Sequence, residues 1–339
     1  MMKILIVDDS AFMRKVISDL TQKISFIQDV KVARNGQQAL EEIKDDAEID
    51  LVLMDIEMPI MDGLTALKEI KKVRDVPVVM LSSLSNQEVT IEALDAGAAD
   101  FIEKPVNLFS IKQEWITDFE SKILMVKNKH QQVESPVVQP IKDQTKMTVP
   151  GQLPSFVHAM VIGASTGGPR ALLGVIRQLP VEIKVPIFIV QHMPKGFTAS
   201  FAKRLNQETA SPVVEAQDGM RIERRIYLCP GDYHMTLENG RINLNQQPKL
   251  HGTRPAVDYL FSSAAKMYRR NLVAVLLTGM GSDGAKGMED IHGLGGYTIA
   301  EDEESCVVFG MPRSAIELGV VNEILSLSAI EQKINQIVG

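Results

Sequence analysis

A chain of 339 residues with 45% hydrophobic content can bury two ordinary cores, since single cores rarely grow past about 250–300 residues. The net charge is −7, and all of the excess acid lies in residues 1–150, which hold 18 Lys+Arg against 25 Asp+Glu, whereas residues 151–339 hold 18 of each. With neither half basic and only 5% aromatic residues, the electrostatic footprint and stacking platforms of a nucleic-acid binder are missing, so no nucleic-acid partner is expected.

The first ten residues, MMKILIVDDS, reach acidic side chains before a signal-peptide core can form. The longest apolar stretches are strand-length, far short of the ~20 residues of a membrane helix. Cys229 and Cys306 form no CxxC pair and no disulfide framework. A soluble, cytoplasmic protein without membrane insertion is the expectation.

From residue 1 to about 128, short apolar runs (KILIV, VKVA, DLVLM, PVVML, ADFI) alternate with amphipathic segments, the last a long one from Asn107 to Asn128. That rhythm indicates parallel strands crossed by helices, hence an α/β, five-stranded, doubly wound domain over 1–125. A linker is expected over 126–155, where four prolines and several Gln and Lys interrupt any period. From Phe156 to the C-terminus at 339 the runs VHAMVIG, KVPIFIVQ and NLVAVLLTG predict a second α/β domain with a mostly parallel sheet. Within it, RIERRIYLCPGDYHMTLENGRINLN reads as an antiparallel hairpin with PGD and ENG turns.

In the first domain, Asp8 and Asp9 follow the first strand and Asp55 the third. Ligands of doubly wound sheets sit beyond the carboxyl ends of the strands, so these carboxylates converge on one crevice and suit a hard cation such as magnesium. Ser82 and Lys104 end the fourth and fifth strands and are expected to face the same crevice. Together the five groups suit a phosphoryl group on Asp55, whose charge metal and lysine offset. Acidic loop residues also simply solvate surfaces; five groups at strand ends weigh against that. The pattern of DD, D-x-x-MPxMDG, S and KP resembles the receiver domain of response regulators. The resemblance implies Asp55 as phospho-acceptor, Mg²⁺ bound by Asp9, Asp55 and the Glu57 carbonyl with Asp8 in support, and Ser82 and Phe101 shifting on activation.

In the second domain, VIGASTGG contains G-x-S-x-G, with Pro169 suited to a first helical turn. On its own the motif fits a nucleophile elbow, a phosphate-cradling loop with Ser165 as cap, or a plain structural turn. The following strands add to it. VPIFIVQ ends at His192, where a dinucleotide fold is expected to place an acid, and LVAVLLTGMG delivers Asp283. Ser165 as nucleophile, His192 as base and Asp283 as orienting carboxylate divide the labour of acyl transfer, with the Met280 backbone N–H as an oxyanion donor. Asp283 also reads as a helix cap, and a strand-end histidine is often only structural. His130, His158, His234, His251 and His292 lack this placement.

The order Ser, His, Asp differs from the Ser, Asp, His of α/β-hydrolases. The succession IGASTGG, QHMPxGFT, YLCPGDYH and LLTGMGxDGAxG behind a receiver resembles the chemotaxis protein-glutamate methylesterase family, CheB. The resemblance implies hydrolysis of glutamate γ-methyl esters on methyl-accepting chemotaxis receptors, deamidation of receptor glutamines, and no cofactor for hydrolysis. It also implies that Thr166 helps position His192, and that the receiver blocks the serine until a chemotaxis histidine kinase phosphorylates Asp55. A non-enzymatic module or a DNA-binding output domain under receiver control are the competing readings.

Overall fold

Strands buried on both faces read as continuous apolar runs, and two such sheets organise the protein. The computed structural model describes residues 2–105, 111, 113, 115–117, 119–124, 148 and 151–339. They fall into two compact units, Met1–Val137 and Val138–Gly339. Most of the expected linker, and the ends of the segment Asn107–Asn128, lie outside the described residues; the described parts of 113–124 are helical.

The first unit carries β1 (Met2–Val7), β2 (Ile27–Ala33), β3 (Leu51–Asp55), β4 (Val78–Ser82) and β5 (Asp100–Glu103). They form one parallel sheet in the order β2-β1-β3-β4-β5. All five apolar runs fall on these strands, and every residue of β3 and β4 is buried. Helices Ala11–Thr21, Gly36–Asp45, Gly63–Val73 and Gln87–Asp95 connect them. The first three start where Ser10, Asn35 and Asp62 accept a hydrogen bond from the amide three residues on, satisfying a donor the helix cannot.

Among the described residues the main sheet of the second unit has seven strands: β6 (Ala159–Ala164), β7 (Ile187–Gln191), β8 (Val213–Glu215), β9 (Ile226–Leu228), β12 (Leu272–Leu276), β13 (Tyr297–Glu301) and β14 (Glu323–Leu325). Their order is β14-β13-β12-β6-β7-β9-β8, and every pairing is parallel. The chain builds outward from β6 in one direction, then returns to build from β12 in the other, so the topological switch point lies between β6 and β12. The antiparallel hairpin of β10 (His234–Glu238) and β11 (Arg241–Asn245) stands apart as a sheet of its own. Its ENG turn puts Asn239 at φ 50° and Gly240 at φ 73°, the pair of positive values a two-residue hairpin loop demands. The PGD stretch does not join hairpin strands. It leads from β9 in the parallel sheet to the hairpin, because IYL pairs with β7 and β8.

Candidate active site

The carboxyl ends of β6, β7 and β12 bring three distant side chains together. Register sets this up: Gly163 pairs with Leu276 and Val190, and Ala164 pairs with Gln191, so the residues after each strand emerge at one level. After β6 the chain bends at Ser165 into the helix Gly168–Arg177, with Gly167 at φ 77°, a left-handed conformation a side chain would strain. The Ser165 amide donates to the Thr278 carbonyl at 3.0 Å, which joins the bend to the segment after β12.

Ser165 Oγ lies 3.0 Å from His192 Nδ1, and His192 Nε2 lies 2.7 Å from Asp283 Oδ2. Asp283 is buried, and its oxygens accept the Val257 amide at 2.7 Å and the Asp258 amide at 3.0 Å. Those amides open the helix Val257–Tyr268, whose N-terminus favours negative charge. Burial pushes the Asp283 carboxyl up, but the His192 contact and the two amides outweigh it and hold the group below its ordinary range. An ionised Asp283 accepts a hydrogen bond from His192 Nε2–H, which leaves the Nδ1 lone pair to accept from the serine hydroxyl. The two ring nitrogens thus hold the opposite places from those in chymotrypsin-type triads.

Met280 is 43% exposed, and its amide donates to no acceptor among the described residues. The neighbouring Gly279 packs so close that a Cβ there would stand 2.7 Å from Ser165 Cβ. Thr166 departs from expectation. Both His192 ring nitrogens already have partners, and among the described residues Thr166 makes no hydrogen bond to His192; its carbonyl accepts from Thr278 Oγ1 at 2.9 Å.

The structure adds residues that sequence reasoning passed over. Glu301, fully buried, accepts the Thr278 amide at 2.7 Å and so stands behind the peptide that holds Ser165. His251 Nε2 lies 3.3 Å from Asp258 Oδ2, making a second histidine–carboxylate pair behind the first. Burial and the Asp283 charge push the Asp258 carboxyl up. His251 sits in a turn at φ 53°, a placement no strand-end rule finds. Gln191, inside the QHMP motif, is a further one, its side chain donating to the Ser165 carbonyl at 2.8 Å.

In the first unit, Asp8, Asp9 and Asp55 present carboxylate oxygens within 4.8 Å of one another. Lys104 Nζ reaches Asp8 Oδ2 at 2.9 Å and Asp55 Oδ1 at 2.7 Å. Burial pushes the Asp55 carboxyl up to about 6, Lys104 pulling it down and the Asp8 charge adding to the rise. An open cavity of about 610 Å³ beside them is lined by Asp9, Ile56, Glu57, Met58 and Pro59 among others. An all-oxygen donor set with room for water suits magnesium. Ser82 differs from expectation: its hydroxyl is engaged by Thr90 Oγ1 at 2.5 Å and the Ser83 carbonyl at 3.1 Å, because the helix Gln87–Asp95 brings Thr90 against it. Phe101 is buried, with Lys122 Nζ 5.3 Å from its ring centre.

Residues 160–334 match the family model described as CheB methylesterase, and residues 4–115 match the response regulator receiver domain. A protein-glutamate methylesterase/protein-glutamine glutaminase of Pyrococcus abyssi is 41% identical over 98% of this chain and 92% of its own length. One of the same description from Thermotoga maritima is 40% identical over 99% of this chain and 98% of its own. The crystal structure of the Thermotoga maritima CheB methylesterase catalytic domain superposes with a TM-score of 0.52 at 44% identity, covering 54% of this chain and 99% of that one. No helix among the described residues is long and apolar enough to cross a membrane. A Ser–His–Asp cluster at a parallel-sheet switch point, an acidic crevice in a five-stranded sheet, and relatives matched almost end to end agree: the chain belongs to the CheB methylesterase family, with a response regulator receiver domain at its N-terminus.

Proposed function

We propose that the protein is a phosphorylation-activated serine hydrolase that removes methyl groups from glutamate γ-methyl esters of methyl-accepting chemotaxis receptors and deamidates receptor glutamines. We assign residues 1–125 to the receiver, 126–155 to the linker and 156–339 to the hydrolase. The observation that carries the reading is the continuous path from Ser165 Oγ through His192 Nδ1 and Nε2 to Asp283 Oδ2, at 3.0 and 2.7 Å.

Ser165 Oγ attacks the side-chain carbonyl while His192 Nδ1 takes its proton, and Asp283 stabilises the imidazolium that results. We assign the Met280 amide, which has no acceptor among the described residues, to the oxyanion; one such donor is worth about 10²–10³ in rate. His192 then returns the proton to the leaving group, methanol from an ester or ammonia from an amide. Water, deprotonated by the same imidazole, releases glutamate from the seryl intermediate. One acyl-enzyme therefore serves both activities.

The receiver restrains this chemistry until a chemotaxis histidine kinase phosphorylates Asp55. Asp8, Asp9 and Asp55, with the Glu57 carbonyl, would hold Mg²⁺, which offsets phosphate charge when bound. Lys104 already lies against Asp55 and Asp8 and remains as the cationic partner of a phosphorylated Asp55, while Ser82 and Phe101 adjust to it. The test is methanol release from methylated receptor by the full chain, with and without acetyl phosphate and Mg²⁺. Ser165→Ala is expected to abolish release without loss of fold. Equal release by parent and Ser165→Ala would refute the reading.

A further inference from the structure

Gln191 is the last residue of β7 and only 2% exposed. Its Nε2 donates to the Ser165 carbonyl at 2.8 Å and to the His192 carbonyl at 3.0 Å. Both hydrogens of one carboxamide therefore tie the residue bearing the hydroxyl to the residue bearing the imidazole. The amide has one sensible orientation, since the reverse would set its oxygen against two carbonyl oxygens. In that orientation Oε1 is buried with no hydrogen-bond partner among the described residues. It lies against Gly168, where a Cβ would come within 2.1 Å of it. A buried acceptor without a donor is destabilising, so the two donated bonds are kept at a cost.

We propose that Gln191 is a positioning residue that sets the approach of Ser165 Oγ to His192 Nδ1 by clamping the backbone turns after β6 and β7 to each other. The inference rests on the acyl-transfer reading above and extends it to a residue that touches no reacting atom. His192 is also held by its amide donating to the Ala164 carbonyl at 3.0 Å. That bond lies at the strand end itself. Gln191 joins the backbones of the two turns beyond it, carbonyl to carbonyl, through one side chain.

The experiment measures kcat and KM for methyl-ester hydrolysis with the full chain, using the parent, Ser165→Ala, Gln191→Met and Gln191→Glu. Parent activity that vanishes in Ser165→Ala secures the underlying reading before any Gln191 variant is considered. Gln191→Met keeps length and removes both donors. It is expected to lower kcat by about 10–100-fold, the scale of a misplaced catalytic group, with KM within about twofold of the parent. A kcat equal to the parent's overturns the proposal. If Gln191→Met does not fold, Gln191→Glu decides. Its protonated acid keeps one donor and its carboxylate has none, so its kcat is expected to fall as pH rises through the new ionisation. A Gln191→Glu profile with no falling limb beyond the parent's overturns the proposal.

Discussion

Asp283 holds the imidazole of His192 and the start of a helix with the same carboxylate: Oδ2 meets His192 Nε2 and the Val257 amide, both at 2.7 Å, and Oδ1 meets the Asp258 amide at 3.0 Å. Asp283→Asn keeps the shape and removes the charge that stabilises an imidazolium. Its kcat is expected to fall by about 10⁴-fold, as the same change does in a serine-protease triad. Asp283→Ala also leaves two helix amides unpaired, costing about 1–3 kcal/mol more in stability. The sign with pH follows from the lowered Asp283 pKa. The charged form stabilises the fold above the ordinary carboxylate range, and the benefit is lost as pH falls through the folded value. The stability gap between parent and Asp283→Asn, read from urea midpoints, should close as pH is lowered.

Gly279 supplies a steric test of the nucleophile's place. A Cβ there would meet Ser165 Cβ at 2.7 Å and Met311 Sδ at 2.3 Å. Met311 can swing away, whereas Ser165 moves only with its bend. Gly279→Ala is expected to slow labelling of Ser165 by a fluorophosphonate by about 10–100-fold. It should cost about 1–3 kcal/mol in thermal unfolding from overpacking.

The acidic crevice yields a prediction about the switch. Asp55→Asn removes the carboxylate to which a phosphoryl group would attach, one of the three negative charges of the crevice. Basal methanol release is expected to persist while stimulation by acetyl phosphate disappears. Magnesium should raise the melting temperature of the parent's receiver; at a hundred times its Kd, linkage gives about 2.7 kcal/mol. The Asp55→Asn protein should show a much smaller rise. An undiminished response to acetyl phosphate would remove Asp55 from the mechanism.

What could be read in advance follows from where chemistry is written. Asp8, Asp55, Ser165, His192 and Asp283 each follow an apolar run, so strand ends pointed to them before coordinates did. Strands such as Tyr297–Glu301 carry no such signal, because YTIAE mixes apolar residues with Thr and Glu while every one of its positions is buried. Thr298 and Glu301 fit there through partners that include two far along the chain, Asn322 and Thr278. Gln191 and Thr278 act on backbone carbonyls and amides, which every residue has, so no side-chain motif marks them. Ser82 ends the strand it was expected to end, yet its hydroxyl turns on a rotamer that Thr90 decides. Topology was legible from periodicity; the hydrogen bonds beneath the site were not, since those that brace Ser165 and Thr278 join residues 23 or more positions apart.

Glu301 is the group for which the sign of a stability effect runs opposite to that of Asp283. It is fully buried, accepts the Thr278 amide at 2.7 Å and the Ser305 hydroxyl at 3.1 Å, and has no cation against it among these partners. Burial raises its pKa. A raised carboxyl stabilises the fold below its unfolded value, and the contribution is lost as pH rises through the folded value. At neutral pH the buried charge is therefore a liability, which the two hydrogen bonds offset only in part. Glu301→Gln keeps an oxygen for the Thr278 amide and carries no charge. It is expected to be the more stable protein at pH 8, with the advantage shrinking towards pH 4. Because the Thr278 peptide that supports Ser165 keeps its acceptor, kcat should stay within a few-fold of the parent. Urea midpoints at pH 4, 6 and 8 decide the point; a Glu301→Gln protein less stable than the parent at pH 8 would mean that the charge itself holds the Thr278 turn in place.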